Sequence, residues 1–237
     1  MTTPFLILET GQPTPSMRRH GSFAHWIRVA AGLGRDDAVV VDVQRGDELP
    51  RREGFAGAIV TGSAAMVTER QDWSERSAGW LREAAHAGLP LLGICYGHQL
   101  IAHALGGTVD DNPNGREMGT VHIDLHPQAQ DDPLFAGLPA RFAAQATHLQ
   151  SVLQPPPGAT VLARNDHDAC HAFRWGDAAW GLQFHPEFSA GHMRGYIHAR
   201  ADALAREGRC GKRLAREVGA APHAREVLRR FVRRARR

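Results

Sequence analysis

The chain is poor in features that would assign its class at once. Its 237 residues include three Cys, two Tyr and one Lys, Lys212. An odd, small Cys count excludes a disulfide framework and points to a reducing, cytoplasmic setting. No apolar run approaches the roughly 18–20 residues that a membrane helix needs, so no membrane span is expected. The opening MTTPFLILET has neither a basic segment nor a long apolar one, so no secretory leader is expected. C-x-x-C, H-E-x-x-H, P-loop and G-x-G-x-x-G motifs are all missing, which removes the commonest zinc, nucleotide and dinucleotide signatures. No cofactor and no metal is expected.

What is present is a foldable composition, 43% hydrophobic and 22% charged, in a length that suits one large domain or two small ones. The net charge of +3 conceals a segregation. Residues 194–237 hold 14 basic against 4 acidic side chains, and residues 1–193 hold 14 against 21.

Short apolar runs alternate with helical periodicity, the signature of an α/β fold around a mixed, mostly parallel central sheet flanked by helices. Phe5–Leu8, Val39–Val41, Ala58–Val60 and Leu91–Ile94 read as buried strands. Helices are expected over Ser22–Ala31, Trp73–Ala87 and Gln99–Leu105. Beyond residue 107, Val121, Ile123 and Leu125 alternate with polar residues, the pattern of a strand with one wet face. Arg141–Ala146, Thr160–Ala163, Ala169–Trp175 and Ala179–Phe184 complete an expected antiparallel part. Residues 1–190 form the expected catalytic domain, and residues 191–237 a C-terminal helical extension. The last helix carries Val227, Leu228, Phe231 and Val232 at helical spacing. Such a stripe docks on a core and leaves a solvated arginine face. Without aromatic interleaving or a nucleic-acid-binding fold, that basic face is not expected to bind nucleic acid.

Chemistry concentrates in two segments. Gly93-Ile-Cys-Tyr-Gly-His-Gln99 runs a buried strand into a Cys and then directly into a helix, with Gly at both flanks. This is the layout of a nucleophile elbow with Cys95 in place of Ser. The helix N-terminus favours the thiolate, and the Tyr96 backbone N–H is a candidate oxyanion donor. Gly181-Leu-Gln-Phe-His-Pro-Glu187 supplies a base, His185, and a carboxylate two residues on, Glu187, to orient it. An extended segment would put both on one face.

Together these segments resemble the two signatures of the class I glutamine amidotransferases, over about residues 5–190. The resemblance implies a flavodoxin-like α/β sandwich. It also implies a triad of Cys95 as nucleophile, His185 as base and acid, and Glu187 as orienter. Ile59–Ser63 is similar to the loop lending a second oxyanion amide, at Gly62 or Ser63, although here Gly62-Ser63-Ala64-Ala65 replaces the usual Gly- and Pro-rich sequence. Gln99 matches a glutamine-contacting Gln, and Thr147-His148-Leu149 the segment that holds the amino-acid end of the substrate. Asn114–Gly119 resembles a stretch in the amidotransferase domain of guanosine monophosphate synthetase. The implied activity is hydrolysis of the glutamine side-chain amide, with ammonia passing to a separate synthetase subunit, since no second enzyme fits after residue 190. The alternatives are a γ-glutamyl hydrolase or peptidase using the same triad, and a non-catalytic binding protein that retains the fold. His122, Asp124 and His126, and Asp166-His167-Asp168 with Cys170 and His171, contain ligand types. A wet strand face and a polar turn account for them without a metal.

Overall fold

A computed structural model describes residues 3–237. In chain order it contains β1 (Phe5–Glu9), α1 (Phe23–Ala31), β2 (Ala38–Asp42), β3 (Ala58–Val60), α2 (Asp72–His86), β4 (Leu91–Ile94) and α3 (Tyr96–Ala104). These are followed by β5 (Thr108–Asp111), β6 (Glu117–Leu125), β7 (Arg141–His148), β8 (Gln150–Gln154), β9 (Ala159–Arg164), β10 (Ala172–Trp175) and β11 (Ala179–Leu182). The helices α4 (Ala190–Ala199), α5 (Ala201–Arg206), α6 (Gly211–Glu217) and α7 (Pro222–Ala235) end the chain.

The large sheet runs β2-β1-β3-β4-β11-β10-β9-β6-β7, and β5 and β8 form a separate two-stranded sheet. From β2 to β11 the pairings are parallel. From β11 to β7 they are antiparallel. β1, β3, β4 and β11 are buried along their whole lengths, as strands covered by helices on both faces must be. Beside β4, β11 sets Gly93 opposite Gly181 and Ile94 opposite Leu182. Residues distant in sequence thereby end side by side at the C-terminal ends of two neighbouring central strands.

Local chemistry sets the helix ends. The Ser22 side chain accepts from the His25 N–H at the start of α1, and Gly32 closes that helix at φ 75°. Ser189 and His192 form a reciprocal capping box at the start of α4. The apolar stripe of α7 docks as its spacing predicts: Val227, Leu228, Phe231 and Val232 are buried in the same core as Phe5 and Trp180. Phe231 meets Phe5 and Trp180 at ring-centroid distances of 6.2 Å each.

Several boundaries differ from the sequence expectation. α3 begins at Tyr96 rather than Gln99, because the turn at Cys95 leads straight into helix. Regular pairing of β11 ends at Leu182, short of Phe184, and β10 begins at Ala172 rather than Ala169. The β5–β8 pair has no counterpart in the sequence reading.

Candidate active site

The site sits where the parallel half of the sheet meets the antiparallel half, at the ends of β4 and β11. Cys95 follows β4 directly, with φ 53° and ψ −102°. A positive φ in a residue with a Cβ is strained by about 1–3 kcal/mol and needs a surrounding that enforces it. Here the enforcing contacts are backbone to backbone. The Cys95 N–H donates to the Leu182 carbonyl at 2.7 Å, and the Gly97 N–H to the Thr61 carbonyl at 3.2 Å. A side chain at Gly93 would collide with the Gly97 carbonyl, and one at Gly97 with the Val60 carbonyl. Both flanking glycines are therefore required for close packing. With the Cys95 and Gly97 amides taken, the Tyr96 N–H, first in its helix, has no intrahelical partner.

Thr10 and Thr61 tie β1 to β3 below this turn. The Thr10 N–H donates to Thr61 Oγ1 at 3.0 Å, and Thr10 Oγ1 donates to the Thr61 carbonyl at 2.9 Å. Gly62 follows at once and abuts both Cys95 and His185; a Cβ there would stand 3.2 Å from His185 Cε1 and 3.8 Å from Cys95 Cβ. Ser63 turns its hydroxyl away to accept from the Ala65 N–H at 3.1 Å.

His185 lies opposite Cys95. Its Nδ1 is 2.8 Å from Glu187 Oε1, so a proton on Nδ1 is held there and Nε2 is left for the sulfur. The segment is not extended, as the sequence suggested. A turn at Pro186–Glu187, with the Phe188 N–H to the His185 carbonyl at 3.4 Å, carries Glu187 back under the ring. Phe188 stacks on the His185 imidazole with centroids 4.2 Å apart. All three polar side chains are buried. Burial opposes charge on the Cys95 thiol, but His185 and, more weakly, His148 outweigh it, so the thiol ionises below its ordinary range. Burial likewise opposes the His185 imidazolium, and Glu187 and Cys95 overcome it, raising its pKa to about 10. Each group thus favours the charged form of the other, which promotes proton transfer from Cys95 to His185. Cys170, equally buried without such a partner, is pushed the other way by desolvation and Asp168.

Two cavities open on Cys95. The smaller, of about 50 Å³, is lined by Ser63, Tyr96, Gln99, Thr147, His148 and Leu149 among others. The structure thus brings together Cys95 and the sequence-predicted binding residues. The Gln99 side-chain amide donates to the Gln150 carbonyl at 2.7 Å and to Gln183 Oε1 at 3.0 Å. The larger, of about 310 Å³, lies on the His185 side and is lined by Gln12, Thr14, Arg18, Phe23 and Tyr196.

The sequence reading missed Glu117. This buried carboxylate at the start of β6 has one oxygen 2.9 Å from both His148 Nε2 and His171 Nε2, and Asn165 donates to the other oxygen at 2.6 Å. His148 Nδ1 is 3.0 Å from the Gln150 carbonyl. Both His148 nitrogens face acceptors, so both carry protons and the ring is an imidazolium. Burial opposes this, but Glu117, aided by Asp168, raises the His148 pKa. Burial raises Glu117, but the hydrogen bond from His148 and the proximity of His171 outweigh it and hold the carboxyl well below its usual range. The ligand atoms of Glu117, His148 and His171 lie within 4.8 Å of one another. The His148 contact of 2.9 Å is a hydrogen bond, and His171 Nε2 stands at the same distance as a charge contact without hydrogen-bond geometry; edges around tetrahedral zinc would be about 3.3 Å. The candidate sets around His122 and Asp166 do not include Glu117, the carboxylate around which the structure gathers His148 and His171.

Glu117→Gln is expected to lower stability by about 3–5 kcal/mol near neutral pH, the cost of breaking a buried pair. The low Glu117 pKa contributes stability above its unfolded value of about 4.3 and loses it as pH falls through the folded value. The gap in melting temperature between wild type and variant should therefore narrow toward about pH 3. A gap that stays constant from neutral to acid pH would contradict this ion pair.

The glutamine amidotransferase class-I family model matches residues 20–201, most of the chain and both signature segments. The chain belongs to the class I glutamine amidotransferases. Among relatives of this amidotransferase, one subunit of the glutamine-hydrolysing GMP synthase of Halobacterium salinarum is 31% identical over 172 residues, covering 71% of this chain and 85% of that one. The glutamine-hydrolysing GMP synthase of Thermomicrobium roseum is 43% identical over 131 residues, covering 55% of this chain and 23% of that one. The amidotransferase chain thus spans about a quarter of the length of that larger relative. A Thermotoga maritima glutamine amidotransferase structure superposes with a TM-score of 0.79 at 21% identity, covering 100% of this chain and 99% of that one. At that identity the likeness speaks for the fold alone. No described helix is long and apolar enough to cross a membrane.

Proposed function

We propose that the chain hydrolyses the side-chain amide of glutamine through a γ-glutamyl thioester on Cys95 and delivers ammonia to a separate acceptor enzyme. The observation that carries this reading is the buried Cys95–His185 pair with Glu187 2.8 Å from the imidazole. The thiolate attacks the amide carbon. The oxyanion is held by the Tyr96 N–H and by an amide near Gly62 or Ser63. The His185 imidazolium gives its proton to the departing nitrogen, releasing ammonia and leaving the thioester. Neutral His185 then takes a proton from water, hydroxide adds to the thioester, and collapse returns the thiolate and releases glutamate. Glu187 keeps the ring in the orientation both transfers need. A separate synthetase as acceptor is consistent with the Halobacterium relative, whose name makes it one subunit of a larger GMP synthase.

One observation favours a second reading, a γ-glutamyl hydrolase. Ammonia occupies about as much room as one water, which needs only about 10–15 Å³ of cavity, whereas the cavity on the His185 side measures about 310 Å³. That space suits a larger leaving amine. A screen of glutamine against γ-glutamyl peptides, with Cys95→Ala as control, tests both. Glutamine preference that rises with a synthetase partner supports the first reading. High unassisted turnover of γ-glutamyl peptides supports the second, and activity surviving in Cys95→Ala overturns both.

A further inference from the structure

Arginines around the cleft are almost all engaged. Arg116 donates to both carboxylate oxygens of Glu207, at 2.9 and 3.1 Å. Arg194 donates to the carbonyls of Ala215 and Val218, and Arg209 to those of Arg116 and Met118. Arg200, at the C-terminal end of α4, is different. It lines both cavities that open on Cys95. Its Nε is buried with no hydrogen-bond partner, and among the described residues its side chain forms no ion pair. A guanidinium N–H buried beside a cleft without a partner is costly unless a ligand completes it. Burial, and then the neighbouring Arg116, weaken its hold on its proton, while Tyr196, Cys95 and Glu207 act weakly the other way. Glu207, the one acid that acts on it, is already paired to Arg116. No acidic side chain lines either cavity, although residues 1–193 carry an excess of acid. The cleft is therefore cationic within an acidic body.

We propose that Arg200 is a specificity-determining residue that binds the α-carboxylate of the γ-glutamyl substrate. The proposal rests on the amide-hydrolase reading above. When the side-chain amide lies at Cys95, the amino-acid end must lie in the smaller cavity with Gln99 and Thr147–Leu149. Arg200, Arg116 and the His148 ring supply the positive charge in that cavity, and of these only Arg200 has no carboxylate paired with it among the described residues. The planar guanidinium suits a carboxylate in a two-bond fork, which neither an ammonium nor an amide reproduces.

The test separates binding from turnover. With the Cys95→Ala chain, calorimetry compares L-glutamine with its α-carboxamide, glutaminamide. With the active chain, kcat/KM is measured for both. The expected result is that glutamine is preferred by about 10²-fold or more. In Arg200→Gln that preference collapses toward equality, chiefly through KM, while glutaminamide is little affected. Arg200→Lys should recover part of the preference. Equal losses on both compounds would mean that Arg200 acts on the fold or on the thiolate, and would overturn the proposal. So would an unchanged preference. A second pair, γ-glutamylglycine and γ-glutamylethylamide, asks about the leaving group. If Arg200→Gln alters only that preference, the carboxylate read is the leaving group's, and the α-carboxylate assignment fails. Should the active chain cleave neither glutamine nor γ-glutamyl amides while Cys95→Ala still binds glutamine through Arg200, the hydrolase reading falls and this one stands.

Discussion

Cys95→Ala is expected to lower glutamine hydrolysis by about 10⁴–10⁶-fold, the range seen when a nucleophile that works as a unit with its base is removed. The fold should survive. The positive φ at Cys95 is imposed by the backbone bonds to Leu182 and Thr61, which alanine leaves in place, so the melting temperature should change little. Loss of activity together with loss of structure would leave the assignment without support. A companion measurement follows from the ion pair. The Cys95 thiol ionises below its ordinary range, so its alkylation by iodoacetamide should remain fast at pH values where an ordinary thiol, with a pKa of about 8.5, is protonated. Because Glu187 and Cys95 raise the His185 pKa well above that of an ordinary imidazole, its charge supports the thiolate at neutral pH. In His185→Gln the alkylation profile should move to higher pH, because burial then acts without its counterweight. An unmoved profile would mean that the thiolate owes nothing to His185.

Phe231→Ala is expected to destabilise the chain by about 3–5 kcal/mol, a large fraction of the roughly 5–15 kcal/mol that holds a domain folded. Phe231 is fully buried between Phe5 on β1 and Trp180 on β11, so the deletion leaves a cavity in the main core. Removing all of residues 222–237 should prevent folding, since four buried side chains of this kind contribute about 1.5–3 kcal/mol each. Thermal or urea denaturation checks the point variant, and a melt shift of only a degree or two would contradict it. The arginine face of α7 is tied to the body as well. Arg230 donates to the Ala136 carbonyl at 2.6 Å, and Arg229 to the Ala30 carbonyl at 3.1 Å. These bonds, together with the docked stripe, account for the helix without a nucleic-acid ligand. Deletion that abolished nucleic-acid binding without moving the melt would overturn that account.

Local patterns carried most of the fold. A buried strand such as Leu91–Ile94 is an unbroken apolar run, and the Gly-x-Cys-x-Gly turn announces itself because steric crowding there admits few other residues. The stripe of α7 was readable because its partner is simply the core. β5 and β8 were not. Thr108–Asp111 is acidic and mostly exposed, against ordinary strand preference, and its pairing is decided by Gln150–Gln154 far along the chain. Glu117 escaped for a related reason, since its partners arrive from β7 and from the segment before β10. One signal was available: Glu117 shares its face of β6 with Val121, Ile123 and Leu125 by two-residue periodicity, and a carboxylate on an apolar face needs a partner. Arg200 left no trace of its own within an arginine-rich extension. Its distinction is the bond it lacks, and absence of a partner is visible only when every neighbour has been placed.

The seating of β11 beside β4 also bears on synthesis. A ribosome delivers Cys95 long before His185, and β4 waits with one edge open until residues 179–182 have emerged and paired with it. Long-range pairings of this kind form late. During that interval the thiol has no base to ionise it and no Leu182 carbonyl to hold its turn. The nascent Cys95 is therefore an ordinary thiol, and the surroundings that lower its pKa are complete only once β11 has paired with β4.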